Sequence, residues 1–337
     1  MSIIYTVLIF GIIIFIHELG HFLAARCTGV TVNEFAIGMG PAIWKRQGKR
    51  TLYSLRAFPI GGYCAFEGEE EDSEDENSFR KKSVPKRLLI CAAGALMNLV
   101  LGFAILLSVL AGAEYYSSTT VAAFKEDSSS SESGLQVGDR IVKMNGVSIW
   151  SDQDIVYEIV RDEDGIIQME VIREGERVTL PAVRFKMSGE GKDRSIYLDF
   201  KVAAVEASIG NALSQAGRKT LSLARISWSS VGDLITGKIG FNELSGPVGV
   251  GQVVGEAAKV GMKNVLNLAA FITISIGMFN LLPFPALDGG RIIFLLIEAV
   301  RRKPLNPKWE GYVNAAGLIL LFALMILVTA KDIFQLF

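Results

Sequence analysis

Histidine is almost absent from this chain, because its 337 residues include only two, His17 and His21. Cysteine is also scarce, and Cys27, Cys64 and Cys91 lack the paired CxxC spacing of a thiolate zinc site. The formal net charge of −1 gives no indication of nucleic-acid binding, so no nucleic-acid partner is expected. A metal site in this chain would have to combine the two imidazoles with carboxylates.

Long apolar runs dominate what is present. Half of the residues are hydrophobic, and four runs reach the length of about 20 residues that crosses a bilayer. The first run could be a cleavable signal peptide, but it has no basic n-region and contains the polar sequence HELGH. We therefore expect a multi-pass α-helical membrane protein in a lipid bilayer, with four spans at residues 1–26, 88–113, 263–287 and 312–331.

Basic residues indicate the orientation of these spans. They are frequent between the first and second spans, from Arg26 to Arg87, and between the third and fourth, from Arg291 to Lys308. Because cytoplasmic loops carry an excess of Lys and Arg, both connections should be cytoplasmic. Both termini and the long connection between spans two and three should then lie outside the cytoplasm.

The connection at 27–87 contains short β-prone runs separated by glycines and prolines, including the pair Gly61 and Gly62. This pattern predicts a compact β loop folded against the membrane. The acidic run EGEEEDSEDE at 67–76 is typical of a solvated loop.

The connection between spans two and three has the composition of a folded soluble domain. GLQVGDRIVKMNG is typical of a PDZ domain, which predicts one at 118–203. Such domains capture peptides by strand addition, but the expected groove strand, 196–200, lacks the usual glycine. Residues 204–262 are predicted to form amphipathic helices at the outer surface. Within them, 209–240 is predicted to form a helix pair on the membrane or against the PDZ domain.

The sequence HELGH lies inside the first apolar run, where polar side chains are costly and usually mark function. His17 and His21 are four residues apart and share one helix face, so both can bind one metal ion. Glu18 is placed to act as the base of a zinc hydrolase. A pair of surface histidines is the alternative, which a membrane-buried segment disfavours.

A catalytic zinc needs a third protein ligand, and without another histidine it must be a carboxylate. Asp288 is the leading candidate, in FNLLPFPALDGGR, just after the third span and ahead of a half-helix predicted within 288–303. The alternative is that Asp288 caps this half-helix. Topology favours the metal, since the first and third spans run in the same direction and would bring His21 and Asp288 to the same depth.

Five motifs together resemble one family. They are HELGH, FPIGGY, GALMN, LSGPVG and NLLPFPALDGG. With the PDZ-like block, the chain resembles the site-2 protease family of intramembrane zinc metalloproteases, specifically its bacterial RseP/RasP group, here with a single PDZ domain. The resemblance implies that His17, His21 and Asp288 ligate Zn²⁺, that Glu18 is the catalytic base, and that Asn280 helps to hold the substrate backbone.

The resemblance also implies a bacterial plasma membrane location, an active site near the cytoplasmic side and regulated intramembrane proteolysis. The implied substrates are single-span membrane proteins, such as anti-sigma factors and signal-peptide remnants. The chain departs from the family pattern at two points. It has room for one PDZ domain, where the best-known members have two, and it has Ser275 where some relatives have asparagine.

A substrate helix must unwind before it is cut, because its carbonyls are hidden in its own hydrogen bonds. We expect the β loop at Gly61, Gly62, Tyr63 and Cys64 to offer an edge strand to the unwound segment. Two other classes are considered. A metal or solute transporter should show more polar residues in spans two and four than Asn98 and Asn314, and an inactive PDZ adaptor would not need Glu18.

Overall fold

The computed structural model describes residues 2–69, 73–188, 195–238, 240 and 243–335. The chain divides into two compact units, one made of 1–102 with 240–337 and the other of 103–239. The first unit therefore contains both ends of the chain.

Four helices of the described chain are long and apolar enough to cross a bilayer. They are α1 (Ser2–Thr28), α2 (Val84–Ala111), α7 (Met262–Asn280) and α9 (Pro307–Phe334). The prediction of four apolar helices is confirmed, but the third ends at Asn280 and does not continue to residue 287. Pro283 and Pro285 follow, and proline cannot continue a helix without losing a backbone hydrogen bond.

Two shorter helices complete the helical part of the first unit as described: α6 (Pro247–Val260) and α8 (Asp288–Arg301). Helix α6 lies within the range 204–262, for which the sequence predicted outer-surface helices, and that placement stays a prediction. Its Val254 is fully buried and packs in one apolar cluster with Ile13 of α1 and Ile272 of α7. α6 is therefore part of the core of the first unit.

The predicted β loop is a hairpin of two long antiparallel strands, β1 (Val32–Gln47) and β2 (Leu52–Phe66). The hairpin curls, so that residues 34–37 pair with 62–65 on one side and with 52–55 on the other. Its base packs on α1, where the Phe35 ring lies 5.4 Å from that of Phe22. The segment 62–66 pairs with β1 along one edge, and its other edge has no strand partner among the described residues.

The second unit contains a β-sheet with strand order β10-β3-β4-β6-β7, and β5 pairs with β4. Its strands are β3 (Tyr115–Phe124), β4 (Arg140–Met144), β5 (Val147–Ser148), β6 (Ile166–Arg173), β7 (Glu176–Arg184) and β10 (Phe200–Glu206), with a separate pair β8 (Met187–Ser188) and β9 (Ser195–Ile196). Helices α3 (Ser129–Glu132) and α4 (Asp152–Arg161) lie between strands in the chain. Ile155 and Ile159 of α4 pack with Ile141, Met144 and Met169 in the core.

One expected strand differs from the structure. Residues 196–200 do not form a single groove strand, because β9 ends at Ile196 and β10 begins at Phe200. Between them, the Asp199 carboxylate is buried and accepts hydrogen bonds from the backbone N–H of Ser130, at 3.0 Å, and from its hydroxyl, at 2.7 Å. The buried Asp199 side chain thus lies in the break between β9 and β10, within the stretch that lacks the usual glycine.

The helix pair predicted at 209–240 is also wrong, since one helix, α5 (Ile209–Ile235), covers most of that range. Its polar face packs on α4: Asp154 accepts hydrogen bonds from Ser222 Oγ and Arg225 Nη2, each at 2.6 Å. Asp154 is fully buried. Arg225 and Asp233, two of the charged residues in this apolar range, contact Asp154 and Arg161 of α4.

Candidate metal centre

The two histidines face each other one helical turn apart on α1. Their Nε2 atoms lie 3.2 Å apart. The other nitrogen of His21, Nδ1, lies 2.8 Å from the backbone carbonyl of Ile90 on α2. Because a carbonyl can only accept, Nδ1 of His21 carries a proton, and Nε2 of the neutral ring is then the nitrogen that can bind a metal.

Asp288 completes a triangle with the histidines. Its Oδ2 lies 3.3 Å from Nε2 of His17 and 3.3 Å from Nε2 of His21. Leu287 occupies the N-cap position and Asp288 is the first residue of α8, so the alternative that Asp288 caps this helix is wrong. Oδ2 is buried and makes no hydrogen bond to the other described residues.

The triangle has the dimensions of a zinc site. A tetrahedral zinc ion with ligands at about 2.0–2.1 Å separates those ligands by about 3.3 Å, which matches the observed spacing. Space for an ion also exists, because Gly94 of α2 faces the triangle. A Cβ atom at Gly94 would come 2.3 Å from His21 Nε2 and 2.8 Å from His17 Nε2. The donor set and the space therefore both fit zinc.

A tight loop delivers Asp288 to the histidines. After α7 ends, Ala286 adopts a left-handed backbone conformation with φ of 72°, which is strained for alanine. Its backbone N–H donates to Asn314 Oδ1 of α9 at 3.2 Å. At Gly289 a Cβ atom would meet the carbonyl oxygen of Leu282 at 2.1 Å, so the curl of this loop requires glycine there. The motif LLPFPALDGG is thus a turn that orients the start of α8.

Two ion pairs hold the face of α8 that carries Asp288. Arg291, one turn along, pairs with Glu69 just beyond β2. Glu298, near the end of the helix, pairs with Arg87 of α2, whose Nη1 lies 2.9 Å from Glu298 Oε2. The Glu69 side chain is 13% exposed, so the prediction that the whole acidic run is solvated is wrong at this residue.

A cavity of about 990 Å³ opens onto the triangle. Its lining includes Glu18, Asn280, Gly62, Tyr63 and Cys64. Gly61, also predicted at this site, is not among the described lining residues. The structure thus brings the remaining predicted site residues together around one space.

Tyr63 is fixed beside this cavity by a polar cluster. Its hydroxyl accepts a hydrogen bond from Arg56, which also donates to Glu34 Oε1 at 2.7 Å. Burial, together with the hydrogen bond to the Glu34 carboxylate, raises the pKa of Tyr63 to about 12, so the phenol is neutral at physiological pH. The cluster anchors the strand segment that faces Glu18.

The sequence reasoning missed several residues of this region. Gly94 and Asn98 belong to the motif GALMN, which gave no role by itself, and Arg291 and Glu69 resembled ordinary charged residues. The only sequence signal for Arg291 was its spacing of three from Asp288, which places both on one helix face.

Comparisons with known proteins agree with this centre. Residues 5–324 match the family model described as peptidase family M50. A Fusobacterium nucleatum protein provisionally named as a zinc metalloprotease is 35% identical, with both chains covered completely. The zinc metalloprotease RasP of Shouchella clausii is 29% identical over 98% of each chain, and the regulator of sigma-W protease RasP of Bacillus subtilis is 28% identical over 100% of this chain and 99% of its own.

These matches and the His-His-Asp triangle define a zinc metalloprotease with helices of membrane-spanning length. The chain belongs to peptidase family M50, the site-2 protease family. The family, the enzyme class and the zinc cofactor predicted from the sequence are confirmed.

Proposed function

We propose that this chain is an intramembrane zinc endopeptidase that cuts single-span membrane proteins. The observation that carries the proposal is the triangle of His17, His21 and Asp288, two of whose members lie on a helix of membrane-spanning length. A polar triangle in such a helix is costly unless it functions, and its spacing suits one zinc ion.

Each residue of the centre has a proposed role. His17, His21 and Asp288 hold the ion, which when bound supplies a Lewis acid that activates water and polarises a carbonyl. The Glu18 carboxylate accepts a proton from the attacking water and passes it to the nitrogen of the leaving amine. Glu18 lines the same cavity as the triangle, which places its carboxylate within the space open to a substrate.

The β hairpin is proposed to hold the unwound substrate. The open edge of 62–66 has backbone groups available for one more strand, and Gly62, Tyr63 and Cys64 line the cavity. Pairing there would replace hydrogen bonds that the substrate loses when its helix unwinds. Asn280, the last residue of α7, is proposed to bind the substrate backbone from another side of the cavity.

The second unit is proposed to contain a single PDZ domain outside the cytoplasm. Its β-rich core and the helix α4 support this assignment. The alignment with RasP of Bacillus subtilis runs over 419 positions, which is 82 more than the 337 residues of this chain (419 − 337). That excess is close to the length of the single PDZ domain predicted at 118–203. The basic connections at 26–87 and 291–308 support a cytoplasmic location for the hairpin and α8.

The proposed substrates are anti-sigma factors already trimmed outside the membrane, together with signal-peptide remnants. Support comes from the RasP relative named as a regulator of sigma-W. The location proposed is a bacterial plasma membrane, and the process is regulated intramembrane proteolysis.

The test uses purified full-length protein in liposomes with a tagged single-span anti-sigma fragment as substrate. Zinc-dependent cleavage within the apolar segment, absent from the Glu18→Gln variant, is the expected result. Cleavage only outside the apolar segment would contradict the intramembrane proposal. Zinc flux across the liposome without cleavage would favour a transporter, and peptide binding without either activity would favour an adaptor.

A further inference from the structure

One face of α2 forms a wall of the metal centre. Ile90, Gly94 and Asn98 are spaced by four residues and therefore share this face. The carbonyl of Ile90 accepts from His21, and Gly94 leaves the space that an ion needs. Asn98, the third residue of the row, lies beside His17, with its Nδ2 3.4 Å from His17 Nδ1.

This orientation of the Asn98 amide conflicts with a zinc-binding His17. Nε2 of His17 belongs to the triangle, so its Nδ1 must carry the proton and needs an acceptor. Nδ2 of Asn98 is itself a donor. Meanwhile Asn98 Oδ1 is buried, and among the described residues it has no hydrogen-bond partner. The oxygen and nitrogen of an asparagine amide have nearly identical shapes, and their assignment follows from the hydrogen-bond network.

We propose that Asn98 is a positioning residue for His17: its amide is turned so that Oδ1 accepts the Nδ1–H of His17. The proposal rests on the proposed role of His17 as a zinc ligand. Exchanging the two amide atoms gives the buried oxygen a partner and removes a contact between two donors. Both histidines then have the same arrangement, each donating from Nδ1 to an oxygen of α2 and presenting Nε2 to the metal.

Contacts with α7 hold Asn98 beside His17. Asn98 is fully buried. Its backbone carbonyl accepts a hydrogen bond from Thr273 Oγ1 of α7 at 3.3 Å. α7 approaches α2 closely beside it, because a Cβ atom at Gly277 would lie 3.1 Å from Asn98 Cβ. An acceptor held this rigidly fixes both the ring orientation and the tautomer of the ligand that it contacts.

Zinc affinity tests the role directly. Partners of metal-bound histidines typically contribute about 10–100-fold to metal affinity, so Asn98→Ala should weaken zinc binding by that factor in a chelator competition. Asn98→Asp should remain close to wild type, because a carboxylate also accepts from Nδ1–H. Thr273→Val, which removes the bond to the Asn98 backbone and leaves the side-chain acceptor in place, is the matched control and should lose less zinc affinity than Asn98→Ala.

The opposite pattern would overturn the proposal. If Asn98→Asp loses as much zinc affinity as Asn98→Ala while both remain folded, the amide does not act as an acceptor. Equal losses in Asn98→Ala and Thr273→Val would indicate general loosening of the α2–α7 contact. If Asn98→Ala does not fold, two other measurements test the proposal: the zinc affinity of Asn98→Asp, and the ¹⁵N-histidine spectrum of the zinc-loaded wild-type protein.

A spectroscopic test needs neither substrate nor activity. Because the chain has only two histidines, protein labelled with ¹⁵N-histidine gives signals from two imidazoles alone. In the zinc-loaded protein both rings should show a protonated Nδ1, and Asn98→Ala should alter the Nδ1–H signal of His17 selectively. An Nδ1 of His17 without a proton would refute the proposal. Failure to cut any membrane substrate would leave this result unaffected, so the two proposals fail separately.

Discussion

Gly62 of β2 lies against Glu18 of α1, since a Cβ atom at Gly62 would come 3.0 Å from Glu18 Cγ. The open edge of the hairpin and the proposed base are therefore adjacent. A strand paired along 62–66 would run beside Glu18 without a side chain from Gly62 between them.

Glu18→Gln should abolish cleavage and leave zinc bound. Glutamine is similar in shape but cannot take a proton from water, and loss of general-base catalysis typically costs about 10²–10⁴-fold. Cleavage assays and metal analysis on the same preparation measure both effects. Loss of zinc from this variant would mean that Glu18 is a ligand.

Asp288→Ala should lose zinc as well as activity, because two histidines are too few protein ligands for a catalytic site. The loss of zinc affinity should exceed the 10–100-fold typical of residues that only support a ligand. Asp332→Ala, which removes a carboxylate at the far end of α9 from the metal triangle, is the control for general damage. Full zinc occupancy in Asp288→Ala would require a different third ligand.

Gly94→Ala should prevent zinc binding by occupying the space of the ion. The added methyl group would lie 2.3 Å from His21 Nε2, while in a helix interior the exchange itself favours folding by about 1 kcal/mol. Gly11→Ala on α1 is the matched control, since a Cβ atom there meets nothing within 4 Å. Normal zinc binding by Gly94→Ala would show that the ion does not occupy the space facing Gly94.

Proline at Tyr63 or Cys64 should reduce cleavage more than alanine at the same position, because proline removes a backbone donor. Successive residues of a strand direct their N–H groups to opposite edges, so one of the two prolines should disturb pairing with β1 and the other the open edge. The informative variant is the one that retains zinc and thermal stability but cuts slowly. Equal effects of proline and alanine would instead indicate side-chain contact with the substrate.

The PDZ-like unit is predicted to restrict substrate size and not to be needed for every cut. The expected groove strand at 196–200 is interrupted and lacks the usual glycine, which disfavours peptide capture by strand addition. Since α5 packs on α4, the deletion should remove both, from Tyr115 to Ile235, and a flexible linker should join the ends.

The deletion variant should still cut a trimmed substrate and should begin to cut one that carries a folded outer domain. Cleavage of the two substrates is compared in liposomes, with zinc content as the control. If the zinc-loaded variant no longer cuts the trimmed substrate, the unit recruits substrates.

Features with a local cause were predictable from the sequence. The helix period places His17 and His21 on one face, and the absence of other histidines directs attention to carboxylates such as Asp288. The break after Asn280 also has a local cause in Pro283 and Pro285, although the span was predicted to continue through them to residue 287. These inferences need only neighbouring residues or a count over the whole chain.

Features that depend on distant partners were not predictable. Asn98 and Gly94 acquire a role only when α2 packs beside α1, and Glu69 is shielded from solvent where it pairs with the distant Arg291. The sequence predicted a helix pair at 209–240, whereas in the structure Ser222 and Arg225 of the single helix α5 contact Asp154, far earlier in the chain. Tertiary contact decides such cases.

The division of the chain has a consequence for how this architecture can change. The metal triangle joins α1, near one end of the sequence, to α8, near the other, and both belong to the first unit. Residues 103–239, which begin within α2, form the second unit and contain none of the three triangle residues. Sequence changes after Ala111 in that unit therefore leave the ligand set and Glu18 in place, so the two units can diverge at different rates.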